Sequence, residues 1–261
     1  MTTGTNEGRV YVLHGRKGGV PASNIDLLNR FIEESGVPSA IGFLEGDQQT
    51  LEDAVRQVQQ AGSTHITVVP VLLYTATHVR WDIPERVLAV LDPGVQATEL
   101  PPLADTKAIE SYLDAQLSDA VRQHPDRTVL LVVHGTGHFD GPWNHLQALV
   151  SRLREKLQVP VLGANLIAEP KIATVLATTK APLLVQRLFL TDGRLANRIE
   201  NLVREIQPDS VFLPTLEDNQ VILDAISERL HEGGRDITQE VVDTVREERE
   251  ADARRRAAKT K

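Results

Sequence analysis

From residue 9 to about residue 230, short β-branched runs alternate with amphipathic stretches. "RVYVL" (9–13), "SAIGFL" (39–44), "HITVVPVLLY" (65–74) and "VQATEL" (95–100) read as strands. The third is apolar throughout, the mark of a strand covered on both faces. Between them, "SNIDLLNRFIEES" (23–35) predicts a helix with Ser23 as N-cap and Asp26 three residues on. "TLEDAVRQVQQAG" (50–62) repeats that logic with Thr50 and Asp53 and stops at Gly62. A third helix is expected from about Asp82, with Pro84 tolerated in its first turn, and a fourth over "TKAIESYLDAQLSDAVRQ" (106–123). Strand–helix alternation with short links predicts parallel sheets with right-handed crossovers.

The second half repeats the pattern. "TVLLVV" (128–133), "VPVLGANLI" (159–167), "APLLVQRLFL" (181–190) and "DSVFLP" (209–214) are its strands. His134-Gly135 aligns with His14-Gly15, "LIAEP" (166–170) with "GFLEG" (42–46), and "LFLTDGRLANRIE" (188–200) with "LLYTATHVRWDIP" (72–84). This pairs Glu169 with Glu45 and Arg194 with His78. The expected architecture is α/β, with two homologous domains from an internal duplication. Each is a four-stranded parallel sheet flanked by helices. The expected boundaries are 1–124 and 125–236, followed by a charged tail, 237–261, that is helical or disordered.

Composition narrows the function. The net charge of −8 argues against a duplex-DNA or anionic-membrane binder. The absence of cysteine removes disulfides, Cys-ligated zinc, iron–sulfur clusters and thiol nucleophiles. The polar start "MTTGTNEGR" and the lack of a long apolar run lead to the expectation of a soluble cytoplasmic protein.

The candidate chemistry lies at strand ends, where ligands of parallel α/β sheets bind. His14 follows the first strand, Glu45 the second, and His78 lies in the loop after the third. In a 2-1-3-4 sheet, neighbouring strands are about 4.8 Å apart, so these three side chains can converge. Two imidazoles and one carboxylate suit a labile Fe(II) or Co(II) ion. The second half keeps His134 and a glutamate but has Arg194 in place of the second imidazole. Arg187 and Arg194 then become candidate counter-charges, and no second full metal site is expected. His138 reads as a loop histidine. Trp81 reads as packing near a helix start.

The "HG" after the first strand, "FLE" after the second and "VVPVLLYTATHVRWDIPE" (68–85) resemble the sirohydrochlorin chelatases, the class II tetrapyrrole chelatases. Within them the chain is most similar to the long bacterial form with two homologous halves, which inserts ferrous iron in siroheme synthesis. The resemblance spans roughly residues 8–231. It implies an active site in the cleft between the two domains, with His14, Glu45 and His78 binding the incoming metal. His14 and His78 would also help deprotonate the macrocycle. The chain departs from the family after the first His-Gly, where "GRKGG" stands in place of the frequent Ser-Arg. The implied partners are sirohydrochlorin and a divalent metal, Fe2+ or Co2+, taken as substrate, with no permanently bound cofactor. Sirohydrochlorin carries eight carboxylates, so the expected grip is cationic: Arg16, Lys17 and Arg80, with Arg187 and Arg194 from the second half. No Walker motif and no G-x-G-x-x-G fingerprint occurs, so neither ATP-driven insertion nor a preceding NAD-dependent oxidation is expected. No nucleic acid or membrane partner is expected, and the duplication suggests a monomer. The same donors would serve a cobaltochelatase of cobalamin synthesis. A non-catalytic tetrapyrrole or metal carrier is the alternative from another class, and a metal-dependent oxygenase a weaker one.

Overall fold

A computed structural model describes residues 6–15 and 20–259. Its first sheet is built from β1 (Glu7–Leu13), β2 (Ser39–Phe43), β3 (His65–Pro70) and β4 (Gln96–Glu99). These lie parallel in the order β2-β1-β3-β4. Between them run α1 (Ala22–Ser35), α2 (Leu51–Gln60) and α3 (Ile83–Leu88), the last preceded by a π-helical turn, His78–Asp82. After β4 come α4 (Lys107–Gln123), β5 (Thr128–Val133), α5 (Gly141–Leu157), β6 (Val161–Asn165), α6 (Ile172–Leu176), β7 (Leu183–Arg187), α7 (Arg194–Ile206), β8 (Val211–Leu213) and α8 (Val221–Glu232). The second sheet is parallel in the order β6-β5-β7-β8, so both halves share one topology. The chain closes with β9 (Arg235–Asp236) and α9 (Gln239–Lys259).

Two compact units divide the chain at 104/105 and 224/225, not at the 124/125 expected from the repeat. The second unit is Asp105–Asp224, and the first comprises the residues before and after it. Helix α4 therefore belongs with the second half. Its Asp114 is bridged by Arg152 and Lys156 of α5 at 3.2 and 2.7 Å. The tail expected from residue 237 is helical, one of its two expected states, and the two residues before it, expected within the second domain, join the first sheet. β9 adds to the first sheet as a fifth, antiparallel strand beside β4, and α9 packs on α3 and the π-helical turn.

The apolar runs form the cores they predict. In the first unit Val10, Val12, Ile66 and Val68 are buried against Leu51, Val55, Ile83 and Val87 of the covering helices. Gly42 lets α2 lie directly on β2, since a Cβ there would stand 2.9 Å from Leu51 Cα. In the second unit Leu130, Val132 and Val185 pack with Ile172, Ile199 and Val203.

Three local expectations change. Helix α1 starts at Ala22 behind Pro21 and has no side-chain cap, so Ser23 is a first-turn residue and not the N-cap. Thr50 and Thr106 do cap their helices, accepting from the Asp53 and Ile109 amides at 3.1 and 3.3 Å. The third strand ends at Pro70, before its apolar run does. Val71 still donates to Val12 of β1 at 2.8 Å, after which the chain leaves the ladder and the Leu72 and Leu73 carbonyls accept from Leu103 and Ala104. Helical structure after β3 begins at His78, four residues earlier than expected.

Candidate metal centre

Two donors of the cluster follow strand ends, and the third opens the π-helical turn after β3. His14 follows β1, and its carbonyl accepts the Glu45 amide at 2.8 Å, which ties the β1 and β2 ends together. Gly15 makes this approach possible. Its φ is +78°, and a Cβ there would stand 1.9 Å from the Glu45 carbonyl oxygen. Only glycine fits both the left-handed conformation and the contact.

His78 opens the π-helical turn, a local widening of the helix often found at functional sites. Its Nδ1 is 2.7 Å from Asp82 Oδ2, a spacing of four residues on one helical face. With Asp82 accepting from Nδ1–H, the lone pair of Nε2 is free to point at Glu45, whose Oε1 lies 3.8 Å away. Glu45 Oε2 is 3.9 Å from His14 Nδ1. The two imidazole rings stand edge to face, with centroids 4.7 Å apart. One ligand atom from each of His14, Glu45 and His78 lies within 4.8 Å of the others. Side-chain exposures of 52%, 55% and 27% leave open coordination positions on the solvent side. The three residues expected to converge do converge, and they form the one cluster among the described residues that could hold a metal ion.

The loop that presents Glu45 is braced from α3. Arg86 donates to the Leu44 carbonyl at 2.9 Å and grips Glu52 of α2 through two bonds of 2.7 and 2.6 Å. These bonds to the guanidinium hold the Glu52 carboxyl below the usual carboxylate range.

The cationic candidates fare differently. Arg16 and Lys17 lie outside the described residues. Arg80, on the π-helical turn, makes two bonds of 2.7 Å to Glu248 of α9, which keep the Glu248 carboxyl below its ordinary range. In the second unit, Arg194 is exposed at the start of α7. Arg187 is buried, with a side-chain exposure of 6%, and paired with Asp192 and Glu200 at 3.0 and 3.6 Å. Its charge is committed inside that unit. Trp81 is buried under the Arg249 guanidinium, 5.7 Å from its ring centre, as expected of a packing residue.

The second-half pairing of Glu169 with Glu45 is corrected by the backbone. The Glu45 amide donates to His14, whereas the amide donating to His134 is that of Ile167. Likewise Phe43 bridges to Thr50, and Asn165 to Lys171. Ile167 thus occupies the place of Glu45 and is exposed. Glu169 lies two residues on, and its carboxylate accepts from the Lys171 amide and Thr174 hydroxyl at 3.1 and 3.3 Å. The second rim has lost its carboxylate as well as its second imidazole.

Two sets of residues were not legible as part of the site: Asp82, and the α9 pair Glu248 and Arg249. Asp82 was signalled by its spacing of four from His78. The α9 residues carried no signal in a stretch charged on most faces.

Comparison with known proteins bears on this same segment. Residues 8–120, which contain the whole cluster, match the family model CbiX. A sirohydrochlorin ferrochelatase of Priestia megaterium is 31% identical over 132 residues, 49% of this chain and 50% of that protein. One from Bacillus subtilis is 30% identical over 102 residues, 38% of this chain and 39% of that protein. A sirohydrochlorin cobaltochelatase of Methanopyrus kandleri is 31% identical over 78 residues, 29% of this chain and 54% of that protein. The matches span about half or less of these relatives. Among solved structures, SirB from Bacillus subtilis with Fe3+ superposes with a TM-score of 0.75 at 23% identity, covering 87% of this chain and 95% of that one. That likeness is one of fold.

Proposed function

We propose, from the CbiX match over residues 8–120 and the named ferrochelatase relatives, that the chain is a member of the sirohydrochlorin chelatase family and inserts Fe2+ into sirohydrochlorin, giving siroheme without ATP. The convergence of His14, Glu45 and His78 within 4.8 Å carries this reading. Insertion exchanges two pyrrole N–H protons for one divalent ion. Three protein donors hold the ion while the remaining positions admit macrocycle nitrogens stepwise. Glu45 supplies the anionic ligand. As the ion passes to the macrocycle, the imidazole nitrogens of His14 and His78 that it leaves become available to accept the two pyrrole protons. The acceptor bond from Asp82 favours the tautomer of His78 whose Nε2 faces Glu45.

Arg16 and Lys17, next to His14 in the sequence, are the proposed grip on the substrate carboxylates, for which the guanidinium fork is well matched; Arg80 would join it only by leaving Glu248. The protein works as a cytoplasmic monomer with no resident cofactor. No helix among the described residues is long and apolar enough to cross a membrane. Insertion of Co2+ is the second reading, favoured by the named cobaltochelatase among the relatives and by donors that accept either ion.

The test is anaerobic insertion of Fe2+ or Co2+ into sirohydrochlorin, followed by the visible spectrum of the macrocycle. His14→Ala and His78→Ala should each slow insertion at least about a hundredfold. Insertion at the parental rate by both variants would overturn the assignment, and stoichiometric binding of macrocycle without insertion by the parent would favour a carrier.

A further inference from the structure

Helix α9 reaches the metal cluster through a chain of charged contacts. Asp82 uses one carboxylate oxygen for His78, and its other oxygen, Oδ1, accepts from Arg249 Nη2 at 3.0 Å. Arg249 Nη1 donates at the same time to Glu85 Oε2 at 2.9 Å, so one guanidinium spans the junction of the π-helical turn and α3. The guanidinium also lies over the Trp81 ring. The neighbouring residue of α9, Glu248, grips Arg80 with two bonds. Consecutive residues of one helix therefore hold positions 80 and 82 within, and 85 just after, the backbone turn whose first residue is His78. The helix is seated independently of these pairs, since Val245 and Val242 are buried one and two turns earlier.

We propose that Arg249 is a positioning residue of the metal centre, acting through Asp82 to fix the ring orientation and tautomer of His78. The inference rests on reading His78 as a metal ligand. Free to rotate, a carboxylate 2.7 Å from an imidazole can bond it with either oxygen or turn to solvent. Held by a guanidinium on its far oxygen, it presents a single acceptor to Nδ1. Partners of this kind behind a metal-bound histidine typically change metal affinity about 10- to 100-fold when removed. Arg249 stands one step further out and is partly exposed, so its removal should weaken binding about 3- to 10-fold.

The experiment is Co2+ titration of the full-length protein, followed by the ligand-field spectrum of the bound ion, with circular dichroism to show the fold. Arg249→Ala should weaken binding by that factor, and Arg249→Lys should recover part of it by restoring charge without the fork. Asp82→Asn should weaken binding about tenfold or more. The double variant Asp82→Asn/Arg249→Ala should be no weaker than Asp82→Asn alone, because Arg249 has nothing left to act through. Arg254→Ala, which removes the same charge from an exposed site on the same helix, should match the parent. If His78→Ala abolishes binding while Arg249→Ala matches the parent, or if the two losses multiply in the double variant, the positioning role is overturned and the metal site stands. If His78→Ala also binds as the parent does, the metal-site reading itself fails.

Discussion

Replacing Gly15 by alanine tests whether this glycine sets the donor geometry of the cluster. Gly15 and its counterpart Gly135 follow equivalent histidines with almost the same φ, +78° and +75°. An L-residue at either position costs about 1–2 kcal/mol in backbone conformation. The surroundings differ. A Cβ at residue 15 meets the Glu45 carbonyl oxygen at 1.9 Å, and that backbone is fixed by the bond from the Glu45 amide to His14. A Cβ at residue 135 meets Asn165 Cβ and Oδ1 at 2.7 Å; the amide can rotate away, but the Cβ is held by the buried β6 backbone. Overpacking against an immobile neighbour adds about 1–3 kcal/mol, most at the shorter contact, so both variants should lose about 2–5 kcal/mol, Gly15→Ala the more. Relief of the clash must push the β2 end away from β1, which separates Glu45 from both histidines. Urea unfolding read by circular dichroism gives the stabilities, and Co2+ titration reads the site. Gly15→Ala should lose most Co2+ affinity, and Gly135→Ala should keep it. Unaltered Co2+ binding by folded Gly15→Ala would refute the claim that the glycine sets the donor geometry.

Two further outcomes follow from charged groups in the first unit. Glu99 is only 4% exposed, its Oε1 has no hydrogen-bond partner among the described residues, and burial raises its pKa from the usual 4.5 to about 7 despite Arg235 at 2.9 Å. The folded state thus binds this proton more tightly than the unfolded chain, so stability falls between about pH 4.5 and pH 7, by up to about 3 kcal/mol. Glu99→Gln should flatten that slope in denaturant midpoints taken from pH 5 to 8, and an unchanged slope would show that Glu99 is not its source. Arg86→Ala should cost about 1–3 kcal/mol at pH 7 by freeing Glu52 and the Leu44 carbonyl. Since Arg86 holds the Glu52 pKa down, the deficit should shrink as pH falls through the range where Glu52 becomes protonated, measurable by thermal unfolding at pH 7 and pH 4.

What could be read from the chain is what local patterning encodes. Continuous apolar runs mark strands because both faces are covered, and His14 and Glu45 stood just past their ends, so parallel topology brought those two together, while the π-helical turn after β3 brings in His78. The misses have a common physical origin in long-range or backbone-specific contacts. Pro21 takes the boundary position before α1, which puts Ser23 inside the first turn. The offset of Glu169 follows from a bend of different length between β6 and α6, which similarity of letters could not measure. Docking of α9 brings together ion-pair partners more than 160 positions apart. Its apolar stripe is reduced to Val242 and Val245 among charged neighbours, too weak a period to separate it from a solvated helix.

Strand β9 is two residues long, yet it occupies the outer side of β4, pairing Thr98 with Asp236 and Glu99 with Arg235. Sheet margins invite the strands of other molecules, and proteins protect them with short, charged segments. β9 fits that description, with Arg235 and Asp236 both exposed. The close approach also admits only glycine before it, since a Cβ on Gly234 would stand 2.1 Å from the Glu99 carbonyl oxygen. A chain cut before Gly234 would keep His14, Glu45 and His78 but bare the margin of β4, so its foreseeable defect is self-association through that strand.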